Sequence, residues 1–141
     1  MRLRIGTGQS RSGAAMVEFA LLLPVLCFVL VAGIDFARVF YYDQTILNCA
    51  RNGAAYASDP YSALRNTYSD YKQAALADAK NLKNPVLTTA DVTSVPAVPV
   101  VGSNVAITVK YEFPTITTYL GFSKVSLSKT VTMRVAQTVP D

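Results

Sequence analysis

Side chains able to do chemistry are sparse in this chain, and none of their spacings forms a reaction centre. Histidine, the commonest general base and metal ligand, is absent. The nine acidic residues are scattered without a D-x-D cluster, and Gly6-Thr7-Gly8 is far from a phosphate loop. Hydroxyl groups are plentiful, but nothing in their neighbourhood would activate one as a nucleophile. These features argue for a non-enzymatic chain with no cofactor, no metal and no small-molecule substrate. The two cysteines, Cys27 and Cys49, are 22 residues apart. On one helix that is about 33 Å, far beyond the ~7 Å between Cα atoms that a disulfide tolerates. Cys27 reads as a small apolar filler. One acid has an unusual setting: Glu18 stands at the head of a long uncharged run.

That run, Phe19 to Ile34, reads FALLLPVLCFVLVAGI. With Ala14 to Glu18 it makes 21 residues, enough for a hydrocarbon core of about 30 Å. Its eleven strongly apolar side chains favour insertion by about 3–7 kcal/mol, against about 2.5–3.5 kcal/mol for one acid at a helix centre and less near an end. Insertion therefore wins. Pro24 lacks an N–H and should bend the helix, which membrane spans tolerate better than soluble helices do. Arg2, Arg4 and Arg11 precede the span with no acid among them, so +3 of the +4 net charge lies in a short leader. The remainder, 10 basic and 9 acidic residues, offers no basic face to a nucleic acid. The arginines keep the N-terminus cytoplasmic and send the C-terminus across the membrane.

Beyond the span, Phe36, Val39, Phe40, Ile46, Leu47, Ala50, Gly53, Ala54 and Ala57 recur at helical spacing, with Asp35, Arg38, Gln44, Asn48 and Arg51 mostly on the other side. The pattern predicts one helix from about Ala14 to Ser58, stopped by Asp59-Pro60. A second helix is expected over about Tyr61 to Leu82, burying Leu64, Tyr68, Tyr71, Ala75 and Leu82. Then the period changes. Val92 to Val101 contains Pro96 and Pro99 and suits an edge strand at best. Val105 to Phe113 and Val125 to Val135 alternate as strands, though Lys129 interrupts the second apolar phase. Gly102-Ser103 should make a hairpin turn, and Thr118 to Ser123 a longer loop. The fold class is therefore α+β: a basic leader (1–13), a transmembrane and extended helix (14–58), and an exported domain (59–141) with about three antiparallel strands.

Gly13 followed five residues later by Glu18 and an aromatic resembles the processing site of type IV prepilins. The stretch SGAAMVEFALLLPVL, continued by GIDFARVFYYDQTILNCARNGAAYA, is similar to TadE-like pseudopilins of the tight-adherence secretion system. The resemblance covers about Arg11 to Ala57. It implies cleavage after Gly13 by a membrane aspartic peptidase, leaving Ala14 as the new N-terminus. It also implies that Glu18 recognises the N-terminus of a neighbouring subunit. A carboxylate in hydrocarbon is costly unless paired, and a free amine is a suitable partner. Other implied partners are pilin-like subunits and inner-membrane platform proteins, and the implied role is in pilus biogenesis and adhesion. Phe19 stands where relatives often have tyrosine, and major pilins of the class lack a folded C-terminal domain. Both departures point to a minor subunit.

Alternatives stand beside these readings. Glu18 can be read as an interfacial acid reaching for headgroups, and residues 1–34 as a secretory signal ending near Ala32 or Gly33. The small residues from Ala50 to Ala57 suit packing on the chain's own sheet as well as on a neighbour. A plain anchored envelope domain that binds a surface partner without assembling is the competing function.

Overall fold

The computed structural model describes residues 10–116 and 124–137, with side chains from Gly13 onward. Residues 1–9 of the leader and the Thr118–Ser123 loop lie outside the described residues. Helix α1 runs from Ser10 to Ser58, 49 residues and about 74 Å at 1.5 Å per residue. It begins four residues before the expected Ala14, continues through Pro24 and ends at the expected Ser58. Proline at position 60 disfavours a helical conformation at Asp59, which accounts for the stop.

The stretch expected as one helix over Tyr61–Leu82 is divided. It forms α2 (Ser62–Arg65), α3 (Tyr71–Leu76) and a 3-10 turn at Ala79–Asn81. Asn66 is extended (φ −116°, ψ 157°), as is Asp70 (φ −153°, ψ 155°) immediately before α3. Short polar side chains such as Asn66, Ser69 and Asp70 compete with helical hydrogen bonding. The break is also held by a tertiary bond, Tyr56 Oη donating to the Tyr68 carbonyl at 2.7 Å. As a result Leu64 is 85% exposed and Tyr68 faces solvent, whereas Ala75 and Leu82 are buried as expected and Tyr71 is half-buried.

Three strands follow: β1 (Val92–Val95), β2 (Asn104–Pro114) and β3 (Lys124–Arg134), antiparallel in the order β1-β2-β3. β1 stops at Pro96, which cannot donate to a ladder, so within Val92–Val101 the expected edge strand occupies only four residues. Gly102 takes φ +78° in a turn closed by Ser103 N–H to the Val100 carbonyl at 3.0 Å, a conformation that favours glycine. Because β1 ends early, that turn closes the far end of a longer connection.

Every second residue of β2 is buried: Val105, Ile107, Val109, Tyr111 and Phe113. Their partners across β3 on the same face are Met133, Val131, Lys129, Leu127 and Val125. The lysine that interrupts the apolar phase is explained by α1, where Asp43 meets Lys129 Nζ at 2.9 Å. The opposite face of the sheet is polar; there the Thr108 and Thr130 hydroxyls hydrogen-bond at 2.8 Å. The sheet is thus one-faced, and α1 covers the apolar side with Val39, Tyr42, Ile46, Cys49, Ala50, Ala54 and Ala57.

Two details of the predicted helix face are corrected. Phe36 and Phe40 are 75% and 61% exposed, while Asp35 is only 7% exposed. The sheet-facing stripe follows 35, 39, 42, 46, 49–50, 53–54 and 57, and the two phenylalanines lie off it. The small residues from Ala50 to Ala57 serve the chain's own sheet, except exposed Ala55. Gly53 allows the closest approach. A Cβ there would lie 3.1 Å from both Ala75 Cβ and Ile107 Cγ2 and 3.3 Å from the Tyr71 carbonyl oxygen. Gly53→Leu should therefore lower stability by about 1–3 kcal/mol or more through overpacking, despite leucine's better helix propensity. Denaturant unfolding in detergent measures it; an unchanged midpoint would mean that α1 can slide on the sheet.

The packed half of α1 and the strands match in length. Asp35 to Ser58 is 23 steps, about 35 Å, and eleven residues of β2 span about 36 Å. Both ends are tied. Asp35 Oδ1 accepts from the Ile116 N–H at 2.9 Å, and the Ser58 carbonyl accepts from Ala136 N–H at 2.8 Å.

Burial pushes the Cys49 thiol up to about 11, with the Asp78 charge adding to the effect, and burial also raises Tyr111. Both groups ionise more readily in the unfolded chain, so their contribution is constant below pH 9 and stability falls as pH rises from 9 toward 11. The expected loss is about 1–3 kcal/mol, read by denaturant unfolding at a series of pH values. Cys49→Ala should flatten the profile, and an identical slope in that variant would remove Cys49 as a cause.

Candidate functional site

An open cleft of about 390 Å³ beside Asn52, Tyr56 and Ser62 carries two carboxylates, Asp59 and Asp78. Both are engaged structurally. Asp59 Oδ1 accepts from Tyr61 N–H at 2.9 Å and its Oδ2 lies 3.7 Å from Arg65, while Asp78 Oδ2 accepts from Asn52 Nδ2 at 2.8 Å. Among the described residues no three metal-ligating side chains converge. None of the buried side-chain polar atoms among them lacks a hydrogen-bond partner.

The unusual feature is the other half of α1. From Gly13 to Ile34 almost every side chain is exposed, including Met16, Val17, Phe19, Leu21, Leu22, Leu23, Leu26, Phe28 and Leu30. The helix is long and apolar enough to cross a membrane, and its most apolar window packs against none of the other described residues. An exposed apolar surface of this size on an isolated chain requires a lipid or protein environment.

The sequence-predicted site residues all lie on this arm. Gly13 and Ala14 are inside α1 and exposed. A Cβ built on Gly13 meets nothing within 4 Å among the described residues, so none of them requires this glycine's small size. Ala14 and Glu18 are four residues apart, hence neighbours on one helix face about 6 Å apart along the axis. Phe19 is exposed beside them. The Glu18 carboxylate has no hydrogen-bond or ion-pair partner among the described residues. Cys27 is exposed on the same arm and Cys49 buried in the sheet unit; both thiols are free.

The comparison with known families falls on this same arm. Residues 13–55 match the family model described as TadE-like protein. The match covers the exposed arm and most of the sheet-packed half of α1, leaving β1–β3 outside it. Matching neither a curated protein nor a solved structure, the chain takes its family evidence from this TadE-like segment.

Where the arm meets the sheet unit, one residue was missed from sequence. Asp35 receives the Ile116 N–H and also Arg38 Nη1 at 3.2 Å. The Arg38 guanidinium in turn lies 5.8 Å from the Tyr42 ring centroid and 5.6 Å from that of Phe113. Tyr42 packs edge-on against both Phe113 and Tyr111. An aspartate and an arginine three residues apart read as a solvated helical pair. The available signal was their position, the first charges after an apolar run.

Proposed function

We propose that this protein is a structural minor pseudopilin of a tight-adherence pilus system, without enzymatic activity. Ala14 to Ile34 spans the inner membrane with the N-terminus cytoplasmic, and the sheet unit is exported. A prepilin peptidase cuts after Gly13, and the Ala14 amine of one subunit pairs with Glu18 of another pilin-like subunit during assembly on the platform proteins. The observation that carries this reading is the unpartnered Glu18 carboxylate, one helical turn from Ala14 on a bare apolar arm of TadE-like sequence. A carboxylate at that depth needs a cation, and the new terminus is one of the right charge at the right level.

The mature N-terminus tests it directly. Intact mass and N-terminal sequencing of protein taken from membranes should give a chain that starts at Ala14. A terminus at Met1 would replace this reading with a plain membrane anchor. One near Gly33 would make the apolar arm a secretory signal.

A further inference from the structure

Immediately beyond Ile34 the helix presents Phe36 and Phe40 to solvent, 75% and 61% exposed, off the stripe that packs on the sheet. At the same level the Asp35 carboxylate holds the Ile116 backbone N–H at 2.9 Å. Ile116 lies two residues past the end of β2, and its side chain is 45% exposed. Exposed apolar side chains from segments some 80 residues apart, Phe36 on α1 and Ile116 past β2, therefore occur at the level where the apolar arm ends. The headgroup layer extends about 5–7 Å beyond the hydrocarbon core on each face. Phe36 lies about 3 Å beyond Ile34 along α1, within that layer, and Phe40 about 9 Å beyond it, just past the layer's outer limit. Aromatic side chains are enriched at this depth.

We propose that the sheet unit is seated on the bilayer, with Ile116 and Phe36 embedded in the headgroup boundary of the outer leaflet and Phe40 at its aqueous edge. The occupant of this exposed apolar end is lipid, because the surface is continuous with the span and is fixed at its level by Asp35. In this arrangement the far end of the sheet, around Gly102 and Val98, stands about 35 Å from the membrane, the rise of α1 from Asp35 to Ser58. Asp35 is then a positioning residue: it ties the end of β2 to the helix at the membrane boundary. The proposal rests on the span proposed above.

The chain has no tryptophan, so each introduced tryptophan is a single fluorescent reporter. Full-length protein is reconstituted into phosphatidylcholine vesicles carrying lipids brominated either high on the acyl chain or deep within it. Leu22→Trp reports the span, Ile116→Trp the seated end, and Val98→Trp, at a position 73% exposed, the far end. Leu22→Trp should be quenched by deep bromines. Ile116→Trp should be blue-shifted and quenched by shallow bromines, and Val98→Trp by neither. Phe36→Trp, on the helix surface, repeats the shallow reading without touching the strand. Asp35→Ala in the Ile116→Trp background should reduce the shallow quenching by freeing the end of β2. Quenching of Leu22→Trp without quenching of Ile116→Trp or Phe36→Trp overturns the seating while leaving the span intact. A blue shift at position 116 without lipid quenching assigns the surface to a protein partner and also overturns it. Absence of quenching at Leu22→Trp removes the span, and the seating with it.

Discussion

A fragment beginning at Tyr61 is expected not to fold, whereas one beginning at Asp35 should unfold in a single cooperative transition. The reason is that α1 forms one side of the core. Removing it uncovers Val105, Ile107, Val109 and Phe113, all fully buried, and also deletes Ile46, Cys49, Ala50 and Ala54. Each large side chain contributes about 1.5–3 kcal/mol on burial, so four or five of them amount to most of the 5–15 kcal/mol that stabilises a small domain. The remaining elements cannot substitute. α2 and α3 are one or two turns long, too short to persist alone, and a small sheet with one bare apolar face lacks independent stability. The Asp35 fragment keeps both end ties and the Asp43–Lys129 pair. Circular dichroism and denaturant unfolding of the two fragments decide the matter. A Tyr61 fragment that melts with the same midpoint as the longer one would make α1 dispensable to the sheet.

That dependence bears on what could be read in advance. The stop at Asp59-Pro60 and the alternation of β2 were legible because each is set locally, by proline's ring and by period-two burial. The exposed arm was legible for the same reason, since sixteen uncharged residues need no tertiary context to be recognised. The orientation of the packed half of α1 was not. Apolar residues occur on both sides of it between positions 36 and 42, so periodicity alone placed Phe36 and Phe40 inward and Asp35 outward. The sheet decides otherwise through bonds between residues distant in sequence, Ile116 to Asp35 and Lys129 to Asp43. The same holds for the second helix, where a tyrosine hydroxyl on α1 fixes the break at Tyr68. Gly13 and Glu18 were singled out by the resemblance to prepilin processing sites, and among the described residues Gly13 meets no packing neighbour and Glu18 no polar partner.

Glu18→Ala should yield protein that is processed and membrane-inserted yet fails to assemble. Insertion should improve slightly, because a charge is removed from the apolar segment. Cleavage should persist, because the glycine defines the cut and position 18 lies a full turn away. Assembly should be lost for an electrostatic reason. Adjacent helices pack about 8–10 Å apart, so a neighbour shifted by one turn, about 6 Å, brings its Ala14 ammonium level with the Glu18 carboxylate. Without that carboxylate the ammonium faces hydrocarbon unpaired, at a cost of several kcal/mol per contact, enough to reduce each association step by a hundredfold or more. Gly13→Phe should separate the two roles in the opposite sense. A side chain there meets none of the other described residues, so the protein should fold and insert, but the peptidase should leave it uncut. The measurements are the ratio of cleaved to uncleaved protein and the amount of surface pili in each variant. If Glu18→Ala assembles like the parent, the ammonium is satisfied elsewhere and Glu18 is an interfacial acid with no part in subunit recognition.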